Sequence, residues 1–196
     1  MGLISNGTTV FDNGAMASGF GGSMVFVSSA TASSSASIEF SLGSYKEYKF
    51  FFVNIHPATD NTNLTFNFST DSGSNYNVTK TSTFFMTYHD ESDTSTTLEY
   101  HTPSDLAQST SFQRLCLAVG NGSDESASGS MHLFNPSSTT FVKHWVSDLQ
   151  AYDASDFTRN DRSAGYANTT SALTNIKFQM SSGNIDAGKI LMFGLN

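Results

Sequence analysis

Four aspartates fall within fourteen residues: Asp148, Asp153, Asp156 and Asp161. Two carboxylates facing one another across a groove can hydrolyse a glycoside, one as acid and the other as base or nucleophile. Spacing along the chain does not set the distance between them. Acidic loops are also common on acidic proteins, so a solvated loop is the simpler reading. The neighbouring aromatics, Trp145, Tyr152, Phe157 and Tyr166, offer flat faces that could stack on a sugar or cover a subunit contact.

A second group is Tyr88-His89-Asp90-Glu91-Ser92-Asp93, followed by Glu99 and His101. His, Asp and Glu so close together could ligate a metal. No His-x-His or His-x-x-x-His spacing occurs, and oxygen donors dominate, so Ca²⁺ is the ion this set would suit. A polar turn between strands explains the same residues without an ion, and that reading is preferred.

The third group is Ser69-Thr70-Asp71-Ser72-Gly73-Ser74-Asn75-Tyr76. The spacing Ser-x-Asp-x-Gly-x-x-aromatic resembles the Asp-box hairpin turn of sialidases and many other β proteins. Ser69 and Asp71 can bond turn amides, Gly73 can take a positive φ, and Tyr76 can pack under the turn. Such a turn holds a fold together and does no chemistry.

No nucleophile elbow, phosphate loop, dinucleotide fingerprint or zinc pattern occurs. The histidines, His56, His89, His101, His132 and His144, are scattered. Cys116 lies in the apolar run Leu115-Cys116-Leu117-Ala118-Val119, which makes it a buried, inert thiol. No catalytic, metal or cofactor-binding residue is assigned, and the chain is not expected to be an enzyme.

The elements that position these groups read as strands. Ile38, Phe40 and Leu42 alternate with Glu39 and Ser41, the period of a half-buried strand. Residues 45–55 are apolar on both faces, which predicts a central strand buried on both sides and ended by His56-Pro57. Residues 24–27, 64–69, 83–88, 97–100, 112–119, 129–134, 140–147, 163–167, 175–180 and 189–193 are further candidates. One short helical turn fits 105–109, and 121–130 is a surface loop. Many short strands between turn clusters predict an all-β fold of antiparallel sheets, a β-sandwich or jelly roll. One domain spans 23–196. Residues 1–22, rich in Gly, Asn and Ser, form an extended arm whose Leu3, Ile4, Val10, Phe11 and Phe20 need somewhere to dock.

Charged residues are only 13% of the chain while aromatics reach 13%, so a core can form beneath a polar, uncharged surface. The net charge is −8 and Lys and Arg total nine without clustering, which argues against a nucleic-acid partner. No apolar run reaches membrane-spanning length, and residues 1–9 lack the basic and apolar regions of a secretory signal.

Two stretches carry a resemblance. One runs from Tyr45-Lys46-Glu47-Tyr48-Lys49-Phe50-Phe51-Phe52-Val53-Asn54-Ile55 through Leu64-Thr65-Phe66-Asn67-Phe68 to Gly73. The other runs from Ala172-Leu173-Thr174-Asn175-Ile176-Lys177-Phe178 to Gly188-Lys189-Ile190-Leu191-Met192-Phe193-Gly194-Leu195. Together they resemble a family of structural proteins and fibre domains of tailed phages, frequent in marine phages and prophages. The opening Met1-Gly2-Leu3-Ile4-Ser5-Asn6-Gly7-Thr8 is similar to the start of stand-alone members. The resemblance implies a virion protein of the tail-fibre or tail-attachment kind. It would be assembled in the host cytoplasm beside other virion proteins, as a homo-oligomer with a trimer favoured. A capsid decoration protein, or a module that recognises a host surface glycan, are the alternatives. The family supplies no catalytic residue.

Overall fold

The computed structural model describes residues 3–5, 8–12, 15–16 and 24–196 of the 196-residue chain. Three short strands come first: β1 (Leu3–Ser5), β2 (Thr8–Asp12) and β3 (Ala15–Met16), an antiparallel meander. Among the described residues these pair only with one another. Phe20 and the glycines at 7, 14, 19, 21 and 22 lie outside the described residues.

Two antiparallel sheets then pack face to face as a β-sandwich. One has four strands in the order β10 (Gln113–Val119), β7 (Thr62–Ser69), β14 (Asn175–Met180), β5 (Ile38–Ser41). The other has eight: β4 (Val25–Thr31), β15 (Ile185–Leu195), β6 (Glu47–Pro57), β11 (Ala127–Phe134), β12 (Lys143–Tyr152), β13 (Phe157–Ala167), β8 (Lys80–Asp90), β9 (Thr96–Tyr100).

Alternation explains which side chains meet. In β12, Lys143, Trp145, Ser147, Leu149 and Ala151 are buried while His144, Val146, Asp148 and Gln150 face out. In β14, Ile176, Phe178 and Met180 point inward. Phe178 is the bridge between the layers. Its ring lies 5.3 Å from Phe50 and 5.2 Å from Phe52 in the large sheet, and 6.3 Å from Phe40 and 6.5 Å from Phe66 in its own. Burying these rings is the main driving force for closing the sandwich.

Several expectations need correcting. Strand β6 is buried on one face only. Tyr48, Phe50 and Phe52 are covered, but Val53 is 43% exposed because no described element covers the outer face of the eight-stranded sheet. Ile55 regains the inner face because Asn54, at φ 49, shifts the alternation by one residue. Residues 105–109 form no helix. A 3-10 turn stands earlier, at Thr102–Ser104, started by Pro103. Strand β11 begins within the expected loop, at Ala127.

The Asp-box-like segment is not a hairpin. Its preceding strand, β7, pairs with β10 and β14, while the chain continues into β8 of the other sheet. The segment is a crossover between layers. Nor do the aspartates from Asp148 to Asp161 lie on one acidic loop. They are spread over β12, β13 and the turn that joins them.

Candidate functional site

Four places in the fold gather side chains capable of chemistry. The crossover after β7 is the most completely bonded. The Ser69 hydroxyl donates to Asp71 Oδ1 (2.6 Å), and Ser69 Oγ accepts the amides of Asp71 and Gly73. Asp71 also accepts the Asn75 amide (2.9 Å) and its side-chain Nδ2 (2.7 Å). Gly73 sits at φ 85, where a Cβ would meet the Tyr76 hydroxyl at 3.2 Å. Tyr76 is only half-buried: its hydroxyl donates to Glu39 (2.8 Å) and its ring lies beneath Lys177 Nζ (4.2 Å).

These donors, the Ser69 hydroxyl first, hold the Asp71 carboxyl down at about 2 against its ordinary 3.8. A lowered carboxylate stabilises the fold above its unfolded pKa, and that gain is lost as pH falls through the folded value. The Asp71→Asn variant is therefore expected to melt below the wild type at neutral pH. The gap should close as pH drops from about 4 toward 2, and thermal melts across that range check it. A gap independent of pH would mean that the carboxylate charge is not what the turn uses.

One residue here was missed by the sequence pattern. Asn67 is fully buried beside the crossover. Its Nδ2 donates to the carbonyls of Tyr76 (2.7 Å) and Thr110 (2.9 Å), and its Oδ1 accepts from Lys80 Nζ (2.5 Å) and the Phe68 amide (2.8 Å). Burial drives the Lys80 ammonium down to about 7. Asn67 falls on the polar side of the alternation of Leu64, Phe66 and Phe68, which predicts exposure, but β7 is buried on both faces.

The turn between β8 and β9 holds the expected metal candidates. Asp90 accepts the Thr94 and Ser95 amides (2.9 and 2.8 Å) and the hydroxyls of Ser92 and Thr94, so its oxygens are engaged within the turn. His89 pairs with Asp93 at the surface (3.0 Å). Glu99 and His101 lie farther along, on and just after β9. Among the described residues, no group of three His, Cys, Asp or Glu side chains is placed to hold a metal ion.

The four aspartates do not converge. Asp148 is on the outer face, paired with Arg162 (2.7 Å) and Asn160 (2.6 Å). Asp156 is in the turn at φ 62 and accepts the Tyr152 hydroxyl (3.1 Å). Asp153 is buried and paired with the Arg159 guanidinium (3.0 Å). Asp161 is wholly buried, and its Oδ2 accepts the Leu117 amide of β10 (2.6 Å). Its Oδ1 has no hydrogen-bond partner. Burial pushes the Asp161 carboxyl up to about 7, outweighing the opposing pull of the Leu117 amide and of Arg159. Burial also raises the Cys116 thiol well above its usual range, with the nearby Asp161 adding to it, which disfavours the thiolate.

The aromatic set is dispersed as well. Trp145 is a core residue, 1% exposed, with its ring edge-on to Phe66 (5.4 Å), so it has no free face for a glycan or a subunit. Phe157 packs against Tyr88 (5.0 Å). Tyr152 lines a recess of about 320 Å³ with His89, Glu91, Gln150 and Thr158 at one end of β13. Tyr166 lies beside His144, eight residues beyond Thr158 along β13, or about 26 Å at about 3.3 Å per residue. A single sugar cannot span them.

A larger recess, about 820 Å³, opens where β6 and β15 both break register. Gly188, at φ 109, lies so close to the Asn54 carbonyl that a Cβ would stand 2.4 Å from it. Residues 123–126 form the opposite wall. Asp124, Glu125, Asp186, His56 and Lys189 line it, and three of them are engaged locally: Glu125 accepts the Gly122 amide, His56 Nε2 meets the Gly122 carbonyl (3.1 Å), and Asp186 accepts from Ser34 (2.8 Å). These contacts brace the rim.

Compared with known proteins, the chain matches no family model, no curated protein and no solved structure. No helix among the described residues is long and apolar enough to cross a membrane.

Proposed function

We propose that this chain is a structural subunit of a tailed-phage particle, of the tail-fibre or tail-attachment kind. The observation that carries the reading is where the two phage-like stretches lie. They are about a hundred residues apart in sequence, yet they fold as neighbours in both layers. Strand β6 pairs with β15, and β7 pairs with β14. The ring cluster of Phe50, Phe52, Phe66 and Phe178 is drawn entirely from them. The two stretches thus form one coherent part of the sandwich and the centre of its core, which is what a shared structural unit requires.

The polar side chains agree with a structural role. The acid clusters brace turns, crossovers and sheet contacts from within. The low-charge surface and the N-terminal strands suit a subunit that docks on neighbours.

The test is the position of the chain in an intact particle. Electron microscopy of purified virions is expected to place it in the tail or at the tail attachment. Its presence on the capsid lattice would favour a decoration protein instead, and its absence from particles would overturn the proposal.

A further inference from the structure

The two sheets of the sandwich have four edges, and three are guarded. Strand β5 has four residues and carries Glu39, which is tied to Lys177. Strand β10 carries Arg114 and breaks register twice, with Ala118 at φ 51 and the amides of Leu117 and Ala118 turned aside to Asp161 and Asn63. Strand β9 has five residues and carries Glu99. Short length, charge and irregular backbone are the devices that keep a sheet edge from pairing with another chain.

Strand β4 has little of this protection. It runs for seven residues, Val25–Thr31, and only Val27 interrupts its pairing with β15. No residue from 13 through 38 is charged or a histidine. Val25, Phe26 and Val27 are 37, 55 and 37% exposed. The apolar surface continues inward from the edge: Phe26 packs edge-on to Phe193 (5.6 Å), Phe193 to Phe51 (5.7 Å), and Lys49 covers Phe51 (5.0 Å).

We infer that β4 is an assembly edge, and that its partner is the β4 strand of a second copy, paired antiparallel across a two-fold axis. Two such edges would join two eight-stranded sheets into one. The choice of a second copy rests on charge. A two-fold contact sets a segment against itself, so any charge near the axis would face its own kind. On a chain of net charge −8, β4 is the one of the four sandwich edges free of charge, and Ser28 and Ser29 lie at its centre. This inference goes beyond the virion reading and does not depend on it. A contact about a two-fold axis builds dimers, so a trimer would need other surfaces.

The experiment uses the full chain. Light scattering after size exclusion, over a concentration series, is expected to give twice the chain mass for the wild type. Ser29→Lys and Phe26→Lys alter exposed side chains and should each give a single chain mass with unchanged circular dichroism. Amide exchange on the wild type supplies a readout free of mutation: protection of the β4 amides should fall on dilution. A wild type that is monomeric throughout, a trimer, or lysine variants that remain dimeric would each overturn the inference. So would β4 amides protected equally at every dilution, since that would mean the chain covers its own edge. The particle position of the protein stays an independent question, so the two readings can fail separately.

Discussion

The Asp161→Asn variant is expected to be more stable than the wild type above neutral pH and nearly equal to it in mild acid. Asp161 is wholly buried on β13 with one oxygen on the Leu117 amide and the other without a partner. The only guanidinium nearby belongs to Arg159, which is already paired with Asp153. Ionising Asp161 would therefore bury a charge with no dedicated counter-ion. Its carboxyl is pushed from 3.8 to about 7, so between those values the folded state keeps a proton that the unfolded state has released. Stability then falls as pH rises from about 4 to about 7, by on the order of 4 kcal/mol at about 1.36 kcal/mol per unit. Asparagine keeps an acceptor for the Leu117 amide and has no proton to lose. Urea unfolding at pH about 4 and about 8.5 checks this, with the variant nearly equal to the wild type at the lower pH and the full gain present at the higher. Lys80 works the other way, since its lowered pKa makes stability rise above about pH 7, but it is present in both proteins and cancels in the comparison. An equal difference at both pH values would show that Asp161 is ionised in the fold throughout.

Phe178→Ala is expected to cost about 3–5 kcal/mol, the range for emptying a large aromatic from a packed core. Phe178 has no exposed surface and meets four phenylalanine rings, two in each sheet. Little can collapse into the space, because rings on two separately hydrogen-bonded layers would have to move together. Calorimetry should show a midpoint lowered by on the order of 10 °C, at about 2–4 °C per kcal/mol for a chain of this size. A loss under about 1 kcal/mol would mean that the layers close without this contact.

These two residues mark the limits of what sequence reveals. Phe178 was legible. It alternates with Ile176 and Met180, and period two is a local property of a strand. Asp161 was legible only as an acid among acids. Charged residues are rarely fully buried, so pattern reading puts them outside. Only the pairing of Asp161 with Met86, and the neighbouring Leu117 amide, place it within. Trp145 was misjudged for the reverse reason. Its nearness to the aspartates suggested a surface cluster, although it shares parity with Leu149 and Ala151 and is buried with them. The segment after Ser69 shows the other limit. Its turn chemistry was readable, because Ser69, Asp71, Gly73 and Asn75 act over a few residues. Which sheet receives the next strand depends on partners far away in sequence, and no local signal carries that.

The placement of the last two strands reaches beyond the native state. Strand β14 lies between β5 and β7, and β15 between β4 and β6, so residues late in the chain occupy interior positions in both layers. Until they emerge from the ribosome, β4 and β5 have no strand neighbour of their own, and the phenyl cluster lacks its central ring. The nascent chain must therefore hold unpaired strands and exposed aromatics until residues 175–195 have been made. Such a topology, dominated by partners distant in sequence, folds slowly and only after β14 and β15 have been made. Its yield on overproduction should consequently depend on growth temperature and chaperone supply more than its final stability would suggest.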